Sequence, residues 1–171
     1  ARSGQPPIAF YFFKALLFEN FRDYNSAISY ARSAAELWPQ WLRIQALEAE
    51  ALFRSQKFGE AANIYRNILK SNPRHKVAQI KLGYIEYVHL KNLQEGERYL
   101  RVALEQKEGA PRHVLSLGNL GLAEIHFSAQ DYKIALMYAE IAYSLNTAST
   151  RAKEMIVSIA GEEQLKEVQL L

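Results

Sequence analysis

Four histidines, His75, His89, His113 and His126, are the side chains best suited to moving protons or holding a metal near neutral pH. They share no short spacing and form no H-E-x-x-H. Glu86-Tyr-Val-His89 is an E-x-x-H, half of the carboxylate set that binds two irons in a helix bundle. The other half would be a second E-x-x-H, and the chain has none, so the pair reads as a solvated helix turn. Glu124 and His126 stand two apart and cannot face each other on a helix. Gly118 and Gly121 form a G-x-x-G inside a leucine-rich helical pattern, away from any strand-to-helix turn, and read as close-packing positions. Cysteine is absent, which removes thiolate zinc, disulfides and a thiol nucleophile. No phosphate loop or nucleophile elbow appears. We expect no catalytic residue, no metal and no cofactor, hence no enzyme.

Recognition is the chemistry left. Aromatic residues make up 12% of the chain, with 10 Tyr and 8 Phe crowded toward the first ninety positions. The net charge of +3 hides an asymmetry. Residues 1–90 carry 12 basic and 7 acidic side chains; residues 91–171 carry 9 and 11. From Arg54 to Lys81, seven cations (Arg54, Lys57, Arg66, Lys70, Arg74, Lys76, Lys81) face Glu60 alone. Such a stretch reads either as a solvated helical face or as an attractor for nucleic acid or an acidic partner.

The elements that position these groups are legible from spacing. A chain of 171 residues, 49% hydrophobic and 23% charged, is globular and long enough for a real core. Eight Gly and five Pro are too few for a sandwich or barrel. Ala15 and Ala49, Tyr24 and Phe58, Ala27 and Ala61, and Pro39 and Pro73 are each 34 residues apart. That period marks a two-helix unit. The alanines suit close helix crossings, and each proline stops a second helix because it lacks an N–H. Phe58 to Leu93 is 35 residues and Leu93 to Tyr132 is 39, the excess falling in turns and in the loop at 108–113. The periodicity predicts helices over 8–20, 24–37, 41–55, 58–71, 75–90, 93–107, 113–129 and 132–145. Asp23 and Asp131 stand at N-caps and Gly109 at a helix end. A ninth helix follows Ser149, with Ala152, Met155, Ile156, Ile159 and Ala160 on one face.

On Ala15, Tyr24, Ala27, Ala34 and Pro39, and again on Ala49, Phe58, Ala61, Tyr65 and Pro73, the chain resembles the tetratricopeptide repeat (TPR) family. Glu48 departs from the family's Leu-Gly pair, Gly96 replaces an alanine, and Thr147 stands for a proline. The resemblance implies an all-α, right-handed superhelical solenoid of antiparallel helix pairs. Its expected parts are a flexible segment 1–7, an array 8–147 (units 8–41, 42–75, 76–112 and 113–147), and a C-terminal capping helix 148–171. It also implies an adaptor or scaffold that binds a peptide or protein segment in the concave groove, within a larger assembly. Position counting puts Phe12, Phe13, Arg43, Glu50, Phe53, Arg54, Lys81, Tyr84, Tyr87, Glu124 and Phe127 toward that groove. Rings give anchoring area, and guanidinium and phenol groups give directional bonds. The family's carboxylate clamp falls on Phe12, Leu16, Leu47, Val77 and Lys81; only Lys81 is basic, which argues against chaperone-tail binding.

From Ile8 to Phe18 only Lys14 is charged. A helix apolar on every side is normally covered. Phe10, Phe12 and Phe13 are therefore an expected N-terminal interface, with upstream repeats, a second copy or another partner. The same run is too short to span a bilayer and lacks the flanks of a signal peptide. The expectation is a soluble chain of unassigned compartment. Ala1 in place of Met is what a processed or excised chain would show.

Overall fold

A computed structural model describes residues 7–106 and 109–169, with side-chain surroundings through residue 162. The expected flexible segment lies, except for Pro7, outside the described residues, as do residues 170–171 of the expected cap. Among the described residues there are nine α-helices and no strand. They divide into two compact units, Ala1–Ala78 and Gln79–Leu171, the division falling inside the fifth helix.

Unit 1 holds α1 (Ile8–Asn20), α2 (Tyr24–Leu37), α3 (Leu42–Arg54) and α4 (Phe58–Ser71). Successive helices pack on one another, and α3 also reaches α1. Ala15, Ala27, Ala49 and Ala61 are completely buried, as their small size at the crossings requires. Pro39 and Pro73 each follow a helix end by two residues. Glu48, the departure from the repeat pattern, has a clear partner. Arg32 of α2 meets its carboxylate at 2.9 Å and that of Glu60 on α4 at 2.8 Å, so one guanidinium ties three helices.

Unit 2 holds the larger part of α5 (Lys76–Val88), then α6 (Leu93–Glu105), α7 (Arg112–Ser128), α8 (Tyr132–Leu145) and α9 (Thr150–Gln169). Here α5 and α6 cross through glycine. A Cβ on Gly96 would lie 2.7 Å from the Tyr87 Cβ and 2.9 Å from the Gly83 carbonyl oxygen. Gly118 and Gly121 also sit at crossings, against Ile80 and Leu100. Ala123, Ala135, Ala139 and Ile159 form a core joining α7, α8 and α9. The Ser116 hydroxyl donates to the Ala142 carbonyl at 2.7 Å, pinning α7 to α8. α6 ends at Glu105, before the Gly109 expected to stop it.

The turns inside the helix pairs share one device. Arg22, Gln56, Lys91 and Gln130 have φ of 61°, 62°, 59° and 61°, the left-handed region. At Arg22, Gln56 and Gln130 the N–H reaches the carbonyl three residues back, and the next N–H reaches the carbonyl five back, at 2.9–3.1 Å. This double closure satisfies the last carbonyls of the first helix. Asp23 and Asp131 then cap the second helix, accepting from Ser26 N–H at 3.2 Å and Ile134 N–H at 3.5 Å.

Candidate partner-binding sites

In unit 1 the expected recognition residues fall into two groups. Phe12 stands with its ring centroid 5.0 Å from that of Trp41 and 5.6 Å from that of Phe13. The Arg43 guanidinium lies 5.6 Å from the Phe12 ring, a cation–π distance. Arg43 and Phe13 are exposed, so this group presents rings and a cation to water. In the second group Arg54 pairs with Glu50 at 2.8 Å, one turn away on α3. The Tyr65 hydroxyl donates to the other Glu50 oxygen at 3.4 Å. Burial, and then the Glu50 charge, push the Tyr65 phenol well above its usual range. Phe53 packs edge-on against Phe58 beneath the α3–α4 turn.

In unit 2, Tyr84, Tyr87, Glu124 and Phe127 converge on a residue that sequence reasoning missed. Arg151 of α9 donates to the Tyr84 hydroxyl at 2.7 Å and pairs with Glu124 at 2.6 Å. Both partners are only 6% exposed. The groove reading put Tyr84 and Glu124 in water; the last helix covers them instead. Burial raises the Glu124 carboxyl against the pull of Arg151. Burial also raises the Tyr84 phenol; Arg151 opposes that and Glu124 adds to it. Beside this pair opens a cavity of about 360 Å³ lined by Tyr87, Glu124, Phe127, Arg151, Met155 and Ser158, among others. Lys81 is buried and does not line it. The signal for Arg151 was a lone acid, Glu124, set among Leu120, Leu122, Ala123 and Ile125: a carboxylate on an apolar face needs a cation.

The E-x-x-H residues serve the turn that follows α5. Asn92 Nδ2 donates to Glu86 at 3.5 Å, and His89 stands edge-on to Tyr84, centroids 6.1 Å apart. Among the described residues no three His, Asp or Glu side chains gather as a metal site. The basic stretch is split between the units. Lys57, Lys70 and Arg74 are exposed, Arg66 bonds Asn63, and Lys76 and Lys81 are buried. Among the described residues no helix is long and apolar enough to cross a membrane.

Residues 46–111 match the tetratricopeptide repeat family model. No curated protein matches the chain. Among solved structures, the MamA protein superposes with a TM-score of 0.73 at 13% identity, over 95% of this chain and 86% of MamA. PilW, described as a widely conserved type IV pilus biogenesis factor, gives 0.71 at 16% identity, over 85% of this chain and 64% of PilW. A thermophilic TPR protein in Thermus thermophilus gives 0.66 at 15% identity, over 93% and 84%. Identities this low speak for the fold alone, which is the all-α, TPR-like solenoid and generally a protein–protein interaction scaffold. Repeat spacing, paired helices, the family match over residues 46–111 and these neighbours together support a tetratricopeptide repeat fold.

Proposed function

We propose that this chain is a non-enzymatic adaptor that binds a peptide or protein segment along the first helices of its pairs, within a larger assembly. The observation that carries the reading is the cluster of Phe12, Trp41 and the exposed Arg43 in unit 1. Rings that are half-buried give a rigid anchor with little entropy left to lose, and the guanidinium adds directional donors for a carboxylate or a backbone carbonyl. The cavity bordered by Tyr87, Phe127 and Arg151 offers unit 2 a similar mixture. A phage-displayed peptide library tests the proposal. Enriched peptides should carry an apolar anchor with an acidic neighbour, and should be lost when Phe12→Ala and Arg43→Ala are combined. Enrichment that survives the double variant, or no enrichment at all, refutes it. Unchanged helical circular dichroism shows that the variant still folds.

A further inference from the structure

α1 exposes a continuous apolar face. Phe10, Phe13, Leu16, Leu17 and, just past the helix, Phe21 are 41%, 64%, 38%, 45% and 74% exposed. The repeat period identifies what kind of face this is. Thirty-four residues on, Phe10 and Leu17 become Ile44 and Ala51, which are completely buried in α3, a helix that packs on α2 and reaches α1. Two of the positions left open on α1 are thus closed on α3, and the other three, Leu47, Glu50 and Ser55, are half-buried there. Its side chains are nevertheless of another size. Where α3 and its cap have Leu47, Ala51 and Ser55, α1 and its cap have Phe13, Leu17 and Phe21. Leu17 and Phe21 thus fill space that Ala51 and Ser55 leave open on α3.

We propose that this face pairs with the same face of a second copy, α1 against α1 about a two-fold axis. The patch is free of charge, so two copies do not repel. The only charged residues of α1 are Lys14 and Glu19, both half-buried, and the Lys14 ammonium lies 5.8 Å from the Phe10 ring. Phe10, Phe13 and Leu17 recur at steps of three and four, a straight seam that matches itself in antiparallel. The three exposed Phe side chains alone offer roughly 350 Å². Leu16 and Leu17 widen the patch to the upper range that monomers expose. That is the order of the ~800 Å² per partner of a standard interface once flanking atoms are included. The pairing is independent of the peptide-binding reading, which concerns other residues apart from the ring of Phe13.

Sedimentation equilibrium tests it directly. From about 1 to about 100 µM the chain should pass from 19.6 kDa toward twice that mass. Leu17→Glu should weaken pairing by at least about 100-fold, by burying a charge without a partner. Leu17 is exposed, so the variant should keep its helical circular dichroism. A wild-type chain that stays at 19.6 kDa across the range overturns the proposal. So does a Leu17→Glu chain that pairs as before.

Discussion

Gly96→Ala measures how closely α5 and α6 are held. Alanine is the better helix former by about 1 kcal/mol, so an open site would gain stability. Gly96 is not open. The new methyl group would stand 2.7 Å from the Tyr87 Cβ, 2.8 Å from the Tyr87 backbone nitrogen and 2.9 Å from the Gly83 carbonyl oxygen. None of these atoms is the end of a flexible side chain, so the helices themselves must part. Overpacking of this kind costs about 1–3 kcal/mol, and rigid neighbours put the cost at the upper end. The net expectation is a loss of about 1–2 kcal/mol, or a few degrees in melting temperature. Gly59 in α4 has nothing within 4 Å of its added Cβ. Gly59→Ala is the matched control and should gain up to about 1 kcal/mol. Urea melts followed by circular dichroism read both variants. Near-ultraviolet circular dichroism should also change in Gly96→Ala, because Tyr87 is the residue displaced. A Gly96→Ala chain as stable as wild type, beside a stabilised Gly59→Ala, would refute the close-approach argument.

Arg151→Ala should cost about 1–3 kcal/mol at neutral pH, by leaving the buried Glu124 carboxylate without its cation. Burial already favours the protonated form of Glu124, so this cost should shrink as pH falls to about 4, where the group becomes neutral. An equal loss in melting temperature at both pH values would contradict the pairing. Lys57→Asp should stabilise by about 1 kcal/mol, since Lys57 stands at the N-cap of α4 with no side-chain cap bond while Asp23 and Asp131 cap theirs. Gln56→Gly should raise stability by about 0.5–1 kcal/mol, because the exposed Gln56 holds a φ of 62° that costs glycine nothing. Chemical melts decide both. Burial, with Lys91 and Arg151 nearby, lowers the His89 pKa below 6.5, so the unfolded chain binds that proton more readily. Its contribution to stability is lost as pH falls through and below 6.5, and His89→Asn should flatten that slope.

The helix pairs were readable because their determinants are local and steric. Ala15, Ala27, Ala49 and Ala61 are small for the same reason at the same step, and the observed helices keep within two residues of the expected ends. The left-handed turns repeat at 34, 35 and 39 residues as well, yet Arg22, Gln56, Lys91 and Gln130 carry no glycine to announce them. Side-chain surroundings were less legible. Tyr84, Lys81 and Glu124 are amphipathic and fit a wet groove by position, but Tyr84 and Glu124 meet Arg151 from 67 and 27 residues further along. No periodic pattern encodes a contact of that separation; only the mismatch between an acid and its apolar neighbours hinted at it. Glu48 is the parallel case, an acid in a leucine position whose cation, Arg32, lies in the preceding helix.

The Arg151 contacts also set an order of events during synthesis. A chain leaving the ribosome presents Tyr84 and Glu124 well before Arg151 exists, so until α9 emerges the inner face of α7 keeps its carboxylate hydrated. Docking α9, joined to α8 by the short connection at 146–149, is then the last step of assembling unit 2 and brings Arg151 to Tyr84. A nascent chain arrested just short of Arg151 should expose Tyr84 to quenchers and proteases, and one arrested after α9 should not.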